Sequence, residues 1–227
     1  PDKNIYCSNI DRSYSNSIRD IAYSVVKNNN DIILLDISKA FDNLEWNFVE
    51  NKLSKYLNNR IGVALSNKIV KKYMFMVTNR RNYYENVKIN INKGLPTGLC
   101  SSNLIFTLLF ECVFDEIINY LATLNIKIGI DYELKIFVDD ICIKIINKEK
   151  LSIIFNSVIF FLKYNHYNIN CNKCKCSPNL NLNLPKINDG DFYLGLPFSS
   201  SVKSYLDSCL IQFQNRHINI DYKDIKR

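Results

Sequence analysis

Three aspartates carry most of the chemistry this sequence offers. Asp36 closes a short apolar run, and Asp139 and Asp140 stand side by side between two β-rich runs, 134–138 and 141–146. Neighbouring carboxylates repel one another and lose hydration when the chain folds over them, so a group of them held at rigid strand ends favours a cation. Two divalent ions about 3.5–4 Å apart, bridged by such carboxylates, activate an attacking hydroxyl and stabilise the leaving oxygen of an in-line displacement. Mg²⁺ suits the donor set because it prefers oxygen and keeps waters for substrate phosphates; two Mg²⁺ ions are expected, with Mn²⁺ as the substitute. The plainer reading is turn chemistry, since Asp-Asp is common in hairpin loops and Asp often follows a strand.

The elements that must position these acids can be read from periodicity. Residues 31–35 are apolar after the first, the pattern of a strand buried on both faces. Leu44, Phe48, Leu53 and Leu57 recur at helical spacing over 44–57. Further helices are expected over 17–27 and 61–74, and alternation over 77–91 predicts a hairpin. After the breaker-rich stretch 94–98, Ser101 and Ser102 are expected to cap a long, nearly all-apolar helix reaching about 124. The runs 134–138 and 141–146 predict a tight hairpin with Asp139-Asp140 as its two-residue loop. A helix over 149–164, a short strand over 194–198 and a short helix after Lys203 complete the order. The fold class is α+β, an antiparallel sheet packed on helices.

Composition bounds the partners. The chain has 227 residues, 47% of them hydrophobic, and a formal charge of +7. It can bury a sizeable core, and its basic excess attracts polyanions, nucleic acid first among them. Asn, Ile, Lys and Tyr are abundant, as AT-rich codons would give. Eight cysteines without a secretory leader fit a reducing intracellular compartment, organellar (mitochondrial) or nuclear. No apolar run approaches the roughly 18 residues of a membrane span, so no membrane partner is expected. Cys171, Cys174 and Cys176, with His166 nearby, are spaced poorly for a zinc knuckle, and zinc is not expected. Arg80, Arg81, Tyr83 and Tyr84 suit either single-stranded nucleic acid or an exposed turn.

Five strings in order give a resemblance. LDISKAFD over 35–42 resembles motif A of reverse transcriptases, GLPTGLCSS over 94–102 resembles motif B, and FVDD over 137–140 resembles motif C. NCNK over 170–173 falls where motif D lies, and YLGLP over 193–197 resembles motif E, the primer grip. The resemblance covers about 14–198, and the stretch 39–48 is most similar to non-LTR retrotransposon enzymes, with group II intron enzymes as further relatives. It implies a right-hand polymerase palm. Asp36, Asp139 and Asp140 would bind metal, and Phe41 would exclude a ribose 2′-hydroxyl. Thr97 and Gly98 would line the nucleotide pocket, Lys173 would lie near the triphosphate, Leu95 and Pro96 would meet the template, and Leu194 and Gly195 the primer end. An RNA template, a DNA or RNA primer and deoxynucleoside triphosphates are the implied partners. Lys173 is also a candidate general acid toward pyrophosphate, and Phe41 equally suits a core position.

The pattern departs in two places. Motif B usually carries Gln where Thr97 stands, and only 35 residues precede Asp36 while about 30 follow motif E. The expected organisation is partial fingers over 1–30, palm over 31–200 with a finger-type insertion at about 50–92, and a tail or start of a thumb over 201–227. Further protein segments or chains would then supply fingers and thumb. The competing reading is a catalytically inactive, RNA-binding structural subunit of a larger ribonucleoprotein, organellar in the first instance.

Overall fold

The computed structural model describes residues 31–56, 93–95, 100–194, 196–198, 203, 206–208 and 210–211. The helices expected over 17–27 and 61–74 and the hairpin expected over 77–91 lie outside these residues.

Strand β1 (Asp31–Asp36) is buried along nearly its whole length, as its continuous apolar run requires. Helix α1 (Trp46–Tyr56) follows, then α2 (Cys100–Thr123), β2 (Tyr132–Phe137) and β3 (Asp140–Ile145). A 3₁₀ turn (Lys148–Lys150), in which the Asn147 side chain accepts from the Glu149 amide, leads into α3 (Leu151–Tyr164). Three two-residue strands close the order: β4 (Lys175–Cys176), β5 (Phe192–Tyr193) and β6 (Leu196–Pro197). Positions 203, 206–208 and 210–211 are helical, in line with the helix expected after Lys203.

Two elements differ from expectation. The long helix already includes Cys100, so Ser101 and Ser102 lie inside it, and Ser102 is fully buried. The single strand expected over 194–198 is a hairpin, with Tyr193 paired to Leu196 across a two-residue loop and Leu194 at φ +50.

The main sheet has the order β2-β3-β1-β4 and every pairing is antiparallel. Side chains alternate between its faces. The face bearing Ile33, Leu35, Leu134, Ile136, Ile141, Ile143 and Ile145 joins the main core, which α1, α2 and α3 cover. Helix α2 presents Phe106, Phe110, Phe114, Ile117 and Leu121 to that core at spacings of three and four. Ring centroids of Phe41, Phe106 and Phe110 follow one another at 4.5 and 4.7 Å, and Tyr167 meets Phe110 edge-on at 4.9 Å. The opposite face carries a smaller cluster, in which Ile32, Leu34 and Cys142 meet Ile187, Tyr193 and Phe198.

One polar knot fastens the three helices. Lys52 of α1 donates to Glu116 of α2 at 2.6 Å and to the buried Asn165 at 2.7 Å, and Asn165 donates back to the Phe161 carbonyl at the end of α3. Lys52 is only 14% exposed, so its stem packs as well as pairs. Lys52→Ala is expected to lower stability by about 1–2 kcal/mol, the range for losing a charged hydrogen bond whose partners are partly rehydrated. The urea midpoint measures it, and an unchanged midpoint would assign the knot no energetic role.

Candidate active site

Register builds the site. Asp36 pairs with Asp140 across β1 and β3, in line with Leu34–Cys142 and Ile32–Lys144, so both carboxylates stand on the face opposite the helices. The backbone of Asp36 points away from β3. Its N–H donates to the Cys174 Sγ at 3.4 Å, and its carbonyl accepts from the Asn170 N–H at 2.9 Å. Asp36–Asp140 is therefore a non-hydrogen-bonded pair, the geometry that brings facing Cα atoms to about 4.5 Å and side chains closest. Phe137 pairs with Asp140 from the other side, on the same face.

The hairpin that bears the acid pair is offset by one residue from expectation. Its two-residue loop is Val138-Asp139, and Asp140 is already in β3. Val138 sits at φ +55, a region that a β-branched residue rarely enters, while its side chain packs against the main core. Such strain, of about 1–3 kcal/mol, persists only where surrounding structure fixes it. Here the Phe137–Asp140 pairing on one side and the core on the other do so. The result leaves Asp139 at the apex and Asp140 facing Asp36.

Electrostatics follow from this crowding. Burial, then the charges of Asp139 and Asp36, push the Asp140 carboxyl up to about 6. Asp139 is also raised, first by burial and further by Asp36. Lys173 opposes both, with its ammonium 3.8 Å from Asp36 Oδ1. That lysine is 69% exposed, so it lies over the acids and does not plug the space between them.

A raised carboxyl pKa means that the folded chain binds the proton more tightly than the unfolded chain. The metal-free domain is then expected to lose stability as pH rises from about 4 through about 6, where Asp140 ionises in the fold. The full effect would be about 3 kcal/mol, and solvent screening at a half-buried carboxyl reduces it to about 1–2 kcal/mol. Asp140→Asn should raise the urea midpoint at pH 7.5 and hardly change it at pH 4. An equal gain at both pH values would refute the electrostatic cause.

The remaining expected residues are distributed as follows. Phe41 is half-buried and stacked on Phe106. Leu95 is buried, and its N–H donates to the Phe41 carbonyl at 2.9 Å. Gly94 donates to the Leu44 carbonyl and accepts from the Trp46 indole. Gly94 has φ +97, a backbone conformation that favours glycine, while a Cβ there would meet the Asp42 carbonyl oxygen at 3.4 Å, close to ordinary contact. The start of the 94–102 string is thus tied directly to the turn after Asp36. Pro96, Thr97, Gly98 and Gly195 lie outside the described residues. Leu194 packs under the smaller cluster beside Tyr193, whose hydroxyl feels the Asp140 charge. Sequence reasoning missed three contributors: Val138, Tyr193 as a neighbour of the acids, and Cys174. Cys174 and Cys176 are fully buried, while Cys171 is exposed.

Among the described residues, no three His, Cys, Asp or Glu side chains converge on one metal-binding point. The donor set still fits Mg²⁺, which needs only one or two protein carboxylates and completes its shell with water and substrate phosphates. Two facing acids, Asp36 and Asp140, and a third at the apex, Asp139, satisfy that requirement.

A family model described as reverse transcriptase (RNA-dependent DNA polymerase) matches residues 5–198. The chain belongs to that family. No curated protein matches it. Among solved structures, this reverse transcriptase chain is similar to apo telomerase from Candida tropicalis, with a TM-score of 0.55 at 12% identity over 87% of this chain. It is also similar to telomerase from Candida albicans in complex with a TWJ fragment of telomeric RNA, with a TM-score of 0.51 at 13% identity over 92% of this chain. The chain spans 36% and 38% of those two proteins. At such identity the likeness establishes the fold: an α+β domain with a four-stranded antiparallel sheet, matching part of each telomerase. No described helix is long and apolar enough to cross a membrane.

Proposed function

We propose that this chain is the palm of an RNA-directed DNA polymerase that works by two-metal nucleotidyl transfer. The observation that carries the reading is the register of Asp36 opposite Asp140, with Asp139 at the adjoining apex. Asp36 and Asp139 would hold two Mg²⁺ ions, with Asp140 assisting; the ions would lower the pKa of the primer 3′-hydroxyl and neutralise the departing pyrophosphate. Lys173, poised over Asp36 on an exposed stem, would turn to the triphosphate once the acids have another cation. Phe41 would present its exposed edge to the sugar, and its stacking on Phe106 would hold it there. Leu95 and Pro96 would lie under the template, Thr97 and Gly98 in the nucleotide pocket, and Leu194-Gly195 at the primer end. The palm would span 31–200, with finger-type segments at 1–30 and about 50–92 and a tail or start of a thumb over 201–227. Template and primer would be RNA paired with DNA or RNA, and the RNA bound by the Candida albicans relative supports that partner. The string over 39–48 supports kinship with non-LTR and group II intron enzymes.

A second reading has two observations in its favour. Lys173 already supplies a positive charge beside Asp36, and no three ligands converge among the described residues. An RNA-binding structural subunit of an organellar ribonucleoprotein would be built that way. Primer extension decides between them, using primed RNA, Mg²⁺ and deoxynucleoside triphosphates with an Asp139→Asn control. Extension by the parent chain alone supports the polymerase. Equal signal from both proteins, or none from the polypeptide with its fingers and thumb, supports the subunit.

A further inference from the structure

The chain beside β1 breaks register at the level of Asp36. Ile33 pairs with Cys176 and Leu34 with Lys175, so an unbroken ladder would set Asp36 opposite Lys173. Instead, the next bridge is Ile37–Ile169. The intervening residues fold into a turn, in which the amides of Lys173 and Cys174 both donate to the Asn170 carbonyl at 2.9 and 3.1 Å. The turn lifts Lys173 above the acids and removes the backbone acceptor that the Asp36 N–H would have met.

A buried N–H without an acceptor is costly. The fully buried Cys174 fills that place: its Sγ lies 3.4 Å from the Asp36 nitrogen and 4.0 Å from the Asp36 carbonyl oxygen. The carbonyl itself is held from the same turn by Asn170 N–H at 2.9 Å, and Ser38 N–H bonds the Asn168 carbonyl at 2.7 Å just beyond. Among the described residues, the backbone tethers of Asp36 on this side come from one turn, and Cys174 supplies the one side chain among them.

We propose that Cys174 is a positioning residue for Asp36, its thiol replacing the missing ladder acceptor and fixing the Asp36 backbone so that the carboxylate stays opposite Asp140. The role rests on the reading of these acids as a cation site, and it deepens that reading by naming what holds the first acid still. A thiol suits the place because a small, weakly polar group tolerates burial among apolar neighbours yet accepts a hydrogen bond.

Amide hydrogen exchange and Mn²⁺ binding on the full chain test it, with Cys174→Ser, Cys174→Val and Cys174→Ala compared by thermal melt to confirm folding. Valine is larger than cysteine and alanine smaller, so together they bracket its volume while both remove the acceptor, whereas serine keeps an acceptor. In the valine and alanine variants the Asp36 amide should exchange about tenfold faster or more relative to Leu34, and Mn²⁺ affinity should fall by about fivefold or more. Serine should restore both to within about threefold. Rescue by valine and not by serine would make Cys174 a packing residue and overturn the proposal, as would unchanged Asp36 exchange in the valine variant. Faster exchange with unchanged Mn²⁺ affinity would overturn the positioning role. Parent protein that binds no Mn²⁺, or binds it equally after Asp139→Asn, would instead refute the cation site; the exchange data would still judge the tether separately.

Discussion

Asp139→Asn is expected to leave the domain folded and, under the proposed mechanism in which Asp139 would hold Mg²⁺, to lower nucleotide transfer by about 10³-fold or more, since losing such a carboxylate forfeits several kcal/mol of transition-state stabilisation. The side chains are nearly isosteric, so packing at the Val138-Asp139 loop is preserved. Electrostatics favour the fold of the variant: the Asp139 carboxyl is raised by burial and by Asp36, and deleting its charge removes repulsion that Asp140 also feels. A mutation that hurts chemistry while sparing or improving stability marks a site strained for function. Primer extension under single-turnover conditions, with the urea midpoint measured in parallel, reads both halves. Loss of activity together with loss of the folded state would assign Asp139 a structural role. Full activity in a folded variant would remove the apex acid from the proposed mechanism.

What the sequence disclosed depended on whether the signal was local. The unbroken apolar run 31–35 is enough to specify a strand buried on both faces, and β1 duly ends at Asp36. The hairpin was equally legible, but its loop is Val138-Asp139, one residue earlier than turn chemistry suggested. Asp-Asp looks like the better loop because Val resists positive φ. The fold overrides that preference because Val138 packs into the core and Asp140 pairs with both Phe137 and Asp36. Lys173 was marked only through the motif resemblance; its approach to Asp36 requires a register break whose partner strand is well over 100 residues away in sequence. Cys174 was visible as one of three clustered cysteines, a pattern that suggests metal binding before it suggests a hydrogen-bond acceptor. Its bond to Asp36 joins residues 138 positions apart, and no local pattern reports such a contact.

The largest stability effect is expected from Phe106→Ala, at about 3–5 kcal/mol for removing a fully buried phenyl ring. Phe106 has no exposed surface and is the hinge of the aromatic run, stacked on Phe41 at 4.5 Å, tilted on Phe110 at 4.7 Å and edge-on to Tyr167 at 6.2 Å. Its neighbours come from α2, from the turn after β1 and from the segment after α3, so no single element can shift to fill the void. Domains of this kind have about 5–15 kcal/mol in total, which makes the loss a large share. The damage should also reach the acids. Phe41 loses the ring that fixes it, and its carbonyl is the acceptor that ties Leu95 to the turn beyond Asp36. Phe41→Ala removes a ring that is only half-buried and should cost less than half as much. Guanidinium unfolding of the two variants checks the order, with near-UV circular dichroism reporting the aromatic packing. A cost below about 1 kcal/mol for Phe106→Ala would mean that the ring is not enclosed as described, because a surface substitution costs that little.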